Sequence, residues 1–445
     1  MLPSLLCKEN ERDFLSSVVS EGHLVMNPDG KLRRRLDKLV HHLPILLRES
    51  AYRLGIQRRG VALVIPPTGV GSLGDQAMLQ SVADHLHLLG CSHLRQLLMP
   101  RWQGFPIRAP ELFRLRFSEA EILAESPALL TAIRAASVVT AIGADVIDGR
   151  YGMQSVRYQL GMLTLAARLG VPAALLGHSI SESPEPGAMQ LLAELPPEVA
   201  IYVRDPVSQE RFFKHTGRMP ILAADLAFLV KPDGATTDHA AIRDWVNARK
   251  AAGDIVLCLN VNGLTAEAQA GDIGAEMYWQ RFLKQLWQLH PQTSVLFLSH
   301  DPRPEFSDAG MHARIAALLP AAKHSNFRLI ADQTTAARAK AVSMLADLVL
   351  TGRMHLAIGA LSQGVPTFCV AYAGKFEGLA RHIDVSDFTV PESLLPVPES
   401  AAAWLAEKFG LLPERRQALQ QILPGVLTAA RQNFTFATAG RRSVD

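Results

Sequence analysis

Apolar runs alternate with helical segments along the chain from residue 60 onward. The runs are short and rich in β-branched residues, a pattern typical of strands buried on both faces of a parallel sheet. Strands that alternate with helices in this way indicate an α/β sheet with right-handed crossovers. In the first half, the segments with predicted strands are 60–67, 137–149, 171–180, 199–217 and 221–230, and the predicted helices lie at about 77–89 and 159–170.

A polar segment with proline and glycine, KPDGATTDHAA at 231–241, interrupts this series and is typical of a linker. The alternation then restarts and predicts a second α/β domain of similar size. Its predicted strands are 254–262, 294–301, 327–332, 346–352 and 365–372, and its predicted helices lie near 276–289, 308–319, 334–345 and 354–363.

The sequence therefore predicts two doubly wound, Rossmann-like α/β domains that face each other across a cleft. We place the N-terminal domain at 60–235 and the C-terminal domain at 242–398. Residues 399–445 are expected to form helices that pack back across the N-terminal domain, and residues 1–59 to form a basic helical extension. Ligands of doubly wound sheets bind beyond the carboxyl ends of the strands, so the loops at those ends form the candidate site.

Positive charge is concentrated in one part of the chain. Residues 31–59 contain nine Lys or Arg and two acidic residues, a balance of +7, whereas the whole chain of 445 residues totals +3. Apolar residues at 32, 36, 39, 40 and 43 recur at helical spacing and predict an amphipathic helix. This helix either packs on the main body or binds the anionic inner face of the cytoplasmic membrane. A net charge of +3 gives no indication of a nucleic-acid partner.

Other global features favour a cytoplasmic protein. The four cysteines are far apart and form no CxxC pair, as expected in a reducing compartment. No apolar run reaches the roughly 18 residues of a spanning helix. The first residues become charged too early for a secretory signal. Nothing in the sequence specifies an oligomeric state.

The loop GSLGDQAM at 71–78 follows the first predicted strand. Gly71 and Gly74 permit another group to approach the backbone closely, and the helix start offers unpaired N–H groups to an anion or a hydroxyl. Asp75 has two interpretations, because it can cap the helix or act as a general base toward a substrate hydroxyl. The loop matches neither a P-loop nor a dinucleotide-binding fingerprint.

Two further loops follow predicted strands of the first domain. In GHSISES, His178 and Ser179 either line the cleft or are satisfied polar residues of a tight loop. In VRDPVSQE, Arg204 stands just before a helix start, where positive charge is unfavourable. Either an anion lies between Arg204 and the helix, or Arg204 forms a salt bridge with Asp205 or Asp225.

The segment TGRMHL repeats this placement of positive charge in the second domain. Arg353 offers a planar fork suited to carboxylate or phosphate, and His355 exchanges protons near neutral pH. Lys375, with Glu377 beside it, follows the next predicted strand. Together with Arg204, these cations could surround a small dianion or trianion. The sequence has no H-x-x-H and no clustered carboxylates, so we predict no metal site.

Taken in order, these segments resemble the polysaccharide pyruvyl transferase family. The resemblance is carried by GSLGDQAML, VPAALLGHSI, YVRDPVSQERFFKHTG, AADLAFLV, TGRMHLAIGALSQGVPTFCVAY and GKFEGL, and it runs from about residue 60 to about residue 395. Its strongest piece is the R-x-H of Arg353 and His355, followed by a helix, Val-Pro, a strand and Lys375. In place of a Gly-Gly-Gly loop after the second sheet strand, this chain has IGADVIDG.

The resemblance implies a GT-B-like architecture and a phosphoenolpyruvate-dependent enzyme. Such an enzyme forms a pyruvate ketal on a sugar of an exopolysaccharide or cell-surface glycan precursor, whether lipid-linked, nucleotide-linked or polymeric. Arg204, Arg353 and His355 fall where the family binds or activates phosphoenolpyruvate, while Lys375 and Asp75 match the family's lysine and its G-D turn. Phosphoenolpyruvate is a co-substrate in this scheme, and no cofactor is required.

We assign His355 as the general acid and Asp75 as the base, since an imidazolium is stabilised beside a trianion and a sugar hydroxyl must lose its proton. Two alternatives remain. One is a GT-B glycosyltransferase with a nucleotide-sugar donor, and the other is an inactive carbohydrate-binding protein. The predicted substrate-binding residues are Arg204, Arg353, Lys375, Gly74, Ser179 and His178.

Overall fold

The structure is a computed structural model. It describes residues 60–68, 71–104, 107–109, 112–262, 270–303, 307–330, 335–370, 376–383, 387 and 389–439. All of them belong to one packed unit, Arg58–Asp445. The predicted basic extension and Lys375 lie outside the described residues, so the interpretations placed on them stay predictions.

The first half contains a seven-stranded parallel sheet with the strand order β3-β2-β1-β4-β5-β6-β7. The order reverses at β1 and β4, which lie side by side. The strands are β1 Val61–Ile65, β2 His93–Leu98, β3 Leu112–Arg116, β4 Val138–Ala144, β5 Ala173–His178, β6 Val199–Val203 and β7 Ile221–Leu222.

Helices cover both faces of this sheet. Successive side chains of β1 point to opposite faces of the sheet and so belong to different apolar clusters. Ala62 and Val64 share a cluster with residues of the helix at 73–88, and Leu63 and Ile65 share one with residues of the helix at 153–168. The helices are α1 Leu73–Leu88, α2 Glu119–Leu123, α3 Pro127–Arg134, α4 Met153–Arg168, α5 Pro186–Ala193 and α6 Pro206–Thr216.

The second half contains a five-stranded parallel sheet with the order β10-β9-β8-β11-β12, which reverses at β8 and β11. Two doubly wound α/β sheets are thus present, and the predicted fold class is confirmed. The strands are β8 Ile255–Asn260, β9 Thr293–Leu298, β10 Phe327–Ile330, β11 Leu348–Thr351 and β12 Thr367–Cys369. The helices are α7 Thr237–Ala251, α8 Ala275–Leu289, α9 Asp308–Ala317, α10 Ala336–Ser343, α11 Met354–Leu361 and α12 Glu377–Ile383.

Three helices follow the second sheet, α13 Pro398–Glu407, α14 Leu412–Gln432 and α15 Phe436–Ala439. Neither α14, with 21 residues, nor any other described helix is long and apolar enough to cross a bilayer.

Strands β2 and β3 were not predicted from the sequence. Their sequences, HLRQLL and LFRLR, place arginine and glutamine among the leucines and lack the uninterrupted apolar character of a central strand. Strand β3 is the edge strand, paired on one side only, where polar residues are tolerated, and β2 lies between it and β1. The apolar-run criterion therefore finds the central strands and misses these two.

The segment predicted as a strand at 221–230 is mostly a turn. Strand β7 has two residues, and a 3₁₀ turn follows at Leu226–Leu229. A carboxylate oxygen of Asp225 accepts a hydrogen bond from the amide of Ala227 at 2.8 Å, and this contact starts the turn. The predicted linker is also shorter than expected, because α7 begins at Thr237.

One apolar cluster joins the two halves of the unit. It includes Met78 of α1, Phe228 of the 3₁₀ turn, Ile358 of α11 and Val426 of α14. The sheets are therefore connected by a shared core as well as by the chain.

Asn433, just after α14, ties the C-terminal helices to the first sheet. Its side chain is fully buried. Oδ1 accepts a hydrogen bond from the amide of Gly177 at 3.0 Å, while Nδ2 donates to the carbonyl oxygens of Ala224 at 3.0 Å and Ala430 at 2.9 Å. Three backbone groups thus depend on one amide side chain.

We expect Asn433→Ala to lower the free energy of unfolding by about 2 kcal/mol or more, because buried backbone groups lose their partners. The control is Thr428→Ala on α14, whose exposed hydroxyl bonds only to Pro424, and its cost should stay within about 0.5 kcal/mol. Urea denaturation of both variants measures the difference. If Asn433→Ala lowers the free energy of unfolding no more than the control does, Asn433 does not hold the C-terminal helices to the first sheet.

Candidate active site

Both sheets reverse their strand order at the strands that lead into the candidate site. These are β1 and β4 in the first sheet and β8 and β11 in the second. The crevice at such a reversal is where doubly wound sheets bind their ligands. The loop after β1 leads to Gly74 and Asp75, and the loop after β11 leads to Arg353 and His355.

The starts of α1 and α11 are in direct contact. A Cβ atom at Gly74 would lie 2.0 Å from Nδ1 of His355, so a side chain at this position would have to displace the ring. The sequence predicts close approach to the backbone at Gly74, and in the structure the approaching group is the imidazole of His355. Two predicted site residues from different halves are therefore neighbours.

Asp75 lies in the first turn of α1 and is half-buried. The N-cap residue of α1 is Ser72, and Asp75 at the third helical position contributes to a capping box, because its Oδ2 accepts a hydrogen bond from the amide of Ser72 at 3.1 Å. Burial raises the pKa of Asp75 to about 6. The nearby His355 lowers this pKa, and the negative charge of Asp145 raises it further, but burial is the largest effect. A carboxyl group with this pKa can also accept a proton near neutral pH, so capping and the role of a base are compatible.

Arg204 follows β6 and is almost completely buried. Its Nη1 donates to Oδ2 of Asp225 at 3.1 Å, and its Nη2 donates to Oγ of Ser179 at 2.8 Å. Of the two salt-bridge partners considered from the sequence, Asp225 is the one that the structure shows. Asp205 instead caps α6 by accepting from the amide of Ser208 at 2.7 Å.

Asp225 also faces the second half. Its Oδ2 lies 3.6 Å from Nε2 of His355, a distance too long for a hydrogen bond but within that of an ion pair. One carboxylate oxygen therefore lies between Arg204 of the first half and His355 of the second.

Arg353 precedes α11, and its side chain is 10% exposed. It contacts two fully buried carboxylates, since Nη2 donates to Oδ1 of Asp308 at 2.7 Å and Nη1 donates to Oδ2 of Asp301 at 3.0 Å. The anions that offset positive charge at this helix start are thus residues of the chain. A substrate anion would add to this arrangement.

His178 and Ser179 have different environments. His178 is fully buried, and its ring lies edge-on to Phe212 with a centroid distance of 5.7 Å. Burial, followed by the charge of Arg204, lowers the pKa of His178 to about 3, so the imidazole is neutral. His178 thus lies beneath the cleft as a packed core residue, whereas Ser179 is part of the wall described next.

An open cleft lies beside these residues, with an empty volume of about 850 Å³ that includes its mouth. Its wall combines the ends of β4, β5 and β6 with the starts of α6, α11 and α12. The described residues of the wall include six carboxylates and three arginines, so an anionic ligand would have to bind locally, beside an arginine or a helix start. These residues are Asp145, Asp148, Glu182, Asp205, Asp225, Glu377, Arg150, Arg204 and Arg211.

Sequence analysis did not single out Asp145, Asp148 and Arg211. Asp148 is 1% exposed and accepts from the amide of Ser181 at 3.0 Å, so it joins the loops that follow β4 and β5. The sequence contained a signal, because Asp145 directly follows an apolar strand in IGADVIDG and Asp148 lies three residues further on. Their importance depends on the neighbouring loops, which the linear sequence does not specify.

The start of α11 offers donors to an anion. Arg353 occupies the N-cap position, and its side chain caps no backbone amide of the helix. Within the described part of the chain, the amides of Met354 and His355 have no backbone or side-chain acceptor. Unpaired N–H groups at a helix start, together with the helix dipole, favour a negatively charged ligand.

We expect Arg353→Ala to destabilise the fold by about 3 kcal/mol, because it removes the arginine partner of the buried carboxylate of Asp308, whereas Asp301 keeps its pair with Arg303. Arg281→Ala is the control, since it removes a solvent-exposed pair with Glu399 and should cost less than about 1 kcal/mol. Chemical denaturation of both variants measures the two costs. Equal, small effects would mean that the Arg353 pairs are dispensable for folding.

Solved structures with a similar arrangement are two-domain enzymes. A putative UDP-N-acetylglucosamine 2-epimerase from Listeria monocytogenes is 11% identical with a TM-score of 0.54, and a glycosyltransferase from Rickettsia africae is 10% identical with a TM-score of 0.53. An α,α-trehalose 6-phosphate synthase from Burkholderia multivorans is 11% identical with a TM-score of 0.51. The matches cover 87%, 86% and 87% of this chain and 98%, 98% and 100% of the others. At these identities the likeness shows the fold alone, a GT-B-like pair of α/β domains.

No protein of curated function matches the sequence at a significant level. The family model of polysaccharide pyruvyl transferases matches residues 31–374. This match covers most of the chain, and the protein therefore belongs to the polysaccharide pyruvyl transferase family.

Proposed function

We propose that the protein transfers the pyruvyl group of phosphoenolpyruvate to a sugar of a polysaccharide precursor and forms a cyclic ketal. Family membership supports a transferase of polysaccharide biosynthesis. The observation that carries the finer proposal is the contact between the start of α1 and His355. It brings an imidazole close to Asp75, whose pKa is raised by burial to about 6, so an acid and a base share one site.

Phosphoenolpyruvate carries a carboxylate and a phosphate on one carbon, so its site must supply several donors. The amides of Met354 and His355 at the start of α11 and the guanidinium of Arg204 in the cleft wall are the proposed donors. Lys375 would add a further cation; this role rests on the resemblance alone. Arg353 would act by holding the start of α11 in place through its two aspartates.

The first step requires a proton at C3 of phosphoenolpyruvate. His355 gives this proton, and the electron pair of the C2–C3 double bond forms the new C–H bond. C2 then has oxocarbenium-like character, and a sugar hydroxyl attacks it. Asp75 takes the proton of that hydroxyl.

The second step closes the ring. Another hydroxyl of the same sugar attacks C2, gives its proton to the now neutral His355 and displaces phosphate. Asp75 releases its proton to the departing phosphate, so the products are the ketal and inorganic phosphate, and both side chains regain their starting protonation. The developing negative charge on phosphate stays beside Arg204 and the start of α11, which stabilise it. All atoms come from the two substrates, and the protein supplies positioning and proton transfer.

The test is a transfer assay with radiolabelled phosphoenolpyruvate and a panel of lipid-linked and free sugars. Labelled, acid-labile ketal formed with an equal amount of phosphate supports the proposal. Labelled sugar transferred from a UDP- or GDP-sugar would identify a glycosyltransferase instead. Binding of glycans without either transfer would identify a carbohydrate-binding protein, and both of these results overturn the proposal.

The rate is expected to rise with pH through about 6, because a protonated Asp75 cannot accept the proton of the sugar hydroxyl. Asp75→Asn should lower turnover by about 10²–10⁴-fold and remove this rise. Asp84→Asn, nine residues further along the same helix and hydrogen-bonded to Gln80, is the matched control. The measurement is turnover against pH for wild type and the two variants. If the rise persists unchanged in Asp75→Asn, Asp75 is not the general base.

His355→Gln keeps a hydrogen-bond donor of similar reach but removes the transferable proton. Turnover is expected to fall by about 10²–10⁴-fold while donor affinity changes little. His215→Gln, exposed near the end of α6, controls for the loss of an imidazole. Near-normal turnover of His355→Gln would move the acid role to another group, with Glu377 of the cleft wall the next to test. His178 is a poor substitute, because its buried imidazole is neutral.

A further inference from the structure

We propose that Asp225 is a positioning residue of the transfer site, a fixed carboxylate that orients the imidazole of His355 and the guanidinium of Arg204 and favours the charged imidazole. The inference rests on the proposed role of His355 as the acid. It goes beyond that role by assigning the group that holds the acid in place.

The carboxylate of Asp225 is fixed from its own side. Its Oδ1 accepts from the amide of Ala227 at 2.8 Å, and the residue is 3% exposed. The preceding backbone is anchored too, since the amide of Ala223 donates to Val203 at 2.8 Å and the carbonyl of Ala224 accepts from Asn433 at 3.0 Å. A carboxylate held this way is a permanent part of the site.

The other oxygen of Asp225 faces both cations. Oδ2 is 3.1 Å from Nη1 of Arg204 and 3.6 Å from Nε2 of His355. Nε2 of His355 is enclosed and has no hydrogen-bond partner at this distance within the described residues. A shift of a few tenths of an ångström would convert the contact into a charge-assisted hydrogen bond.

Asp225 remains ionised. Burial alone would raise its pKa, but His355, Arg204 and the amide of Ala227 together outweigh burial and lower the pKa to about 2. A carboxylate that is charged at every working pH can stabilise an imidazolium beside it. An orienting carboxylate next to a catalytic histidine has the same physical effect in other enzymes, where it holds the ring and stabilises its charged form.

Other charged or titratable groups surround His355 from each element packed against it. Burial, followed by His355, lowers the pKa of His300 to about 3, so His300 is neutral. Lys340 of α10 lines the same small cavity as His355, but its amine donates to the carbonyls of Phe228 and Val230. Burial lowers the pKa of Lys340 to about 7.

The two remaining groups are the carboxyl of Asp75 from α1 and the guanidinium of Arg353 beside His355. Arg353 is paired with Asp301 and Asp308. Among the described residues, Asp225 is thus the carboxylate that directly faces Nε2 of His355. This makes it the group to change in order to test the arrangement.

The experiment compares wild type, Asp225→Asn and Asp225→Glu in the full chain. Asparagine keeps the shape but removes the charge, so kcat is expected to fall about 10–100-fold with less than about threefold change in KM for phosphoenolpyruvate. Asp225→Glu keeps the charge and should recover part of the loss.

A second measurement does not depend on activity. In histidine-labelled protein, the ring resonances of His355 at fixed pH should shift in Asp225→Asn, because the imidazole loses the carboxylate that faces Nε2. Asp254→Asn is the matched control, because Asp254 is also buried and paired with an arginine, Arg249, but lies outside the cleft wall. It should destabilise the fold in a similar way and leave the resonances of His355 unchanged.

The outcomes separate this inference from the proposed function. Wild-type protein that transfers no pyruvyl group refutes the proposed function, whatever the spectra show. Active wild type, with unchanged kcat and unchanged His355 resonances in Asp225→Asn, overturns the role of Asp225. If Asp225→Asn does not fold, Asp225→Glu takes its place in the test. A glutamate variant that has normal stability and unchanged His355 resonances but no measurable kcat also contradicts a positioning role for Asp225.

Discussion

The contact between Gly74 and the ring of His355 brings the two halves of the protein together at their functional edges. Each of these residues starts a helix that follows a central strand, and each strand lies where its sheet reverses order. Because Gly74 has no side chain, the two helix starts approach closely enough for Asp75 and His355 to influence each other. The proposed acid, the proposed base and the open start of α11 all depend on this one close approach.

The charges around the contact are paired before any substrate arrives. Arg353 lies between two aspartates, and Arg204 shares Asp225 with His355. An unpaired buried charge would cost several kcal/mol, so a site built mostly from buried groups needs internal partners to fold. A ligand that enters such a site finds donors already oriented, and little of its binding energy is spent on ordering them.

Hydrogen bonds from buried polar side chains fix the position of the segment that contains Asp225, which apolar packing alone would define less strictly. Lys340 of α10 donates to the carbonyls of Phe228 and Val230 after Asp225. Asn433 donates to the carbonyl of Ala224 just before Asp225 and accepts from the amide of Gly177 in β5. The segment from 223 to 230 is therefore fixed by groups from three directions. Directional hydrogen bonds of this kind select a single geometry, whereas the shared apolar core supplies the bulk of the stability.

The sequence by itself determined the two-sheet architecture. Central strands buried on both faces have to be uninterrupted apolar runs, and these runs are visible without any structure. Strands β2 and β3 were missed because arginine and glutamine interrupt their apolar residues, and only β3 lies at the edge of the sheet. The segment at 221–230 was misassigned because Asp225 starts a turn within an apolar run. The residues at strand ends were also visible, since Arg204 and His355 stand at or just before helix starts, where positive charge is unfavourable.

Only the tertiary structure decided which of these residues meet and what each one faces. The sequence left open whether Arg204 pairs with Asp205 or Asp225. In the structure Arg204 pairs with Asp225, 21 positions away, because β6 ends and the 3₁₀ turn begins at the same edge of the sheet. The sequence indicated no partner for Arg353. In the structure its guanidinium pairs with Asp301 and Asp308, which lie in the loop and helix that follow β9. Pairing of charges depends on distances between loops, and those distances are set by the packing of whole sheets, which no local pattern of residues encodes.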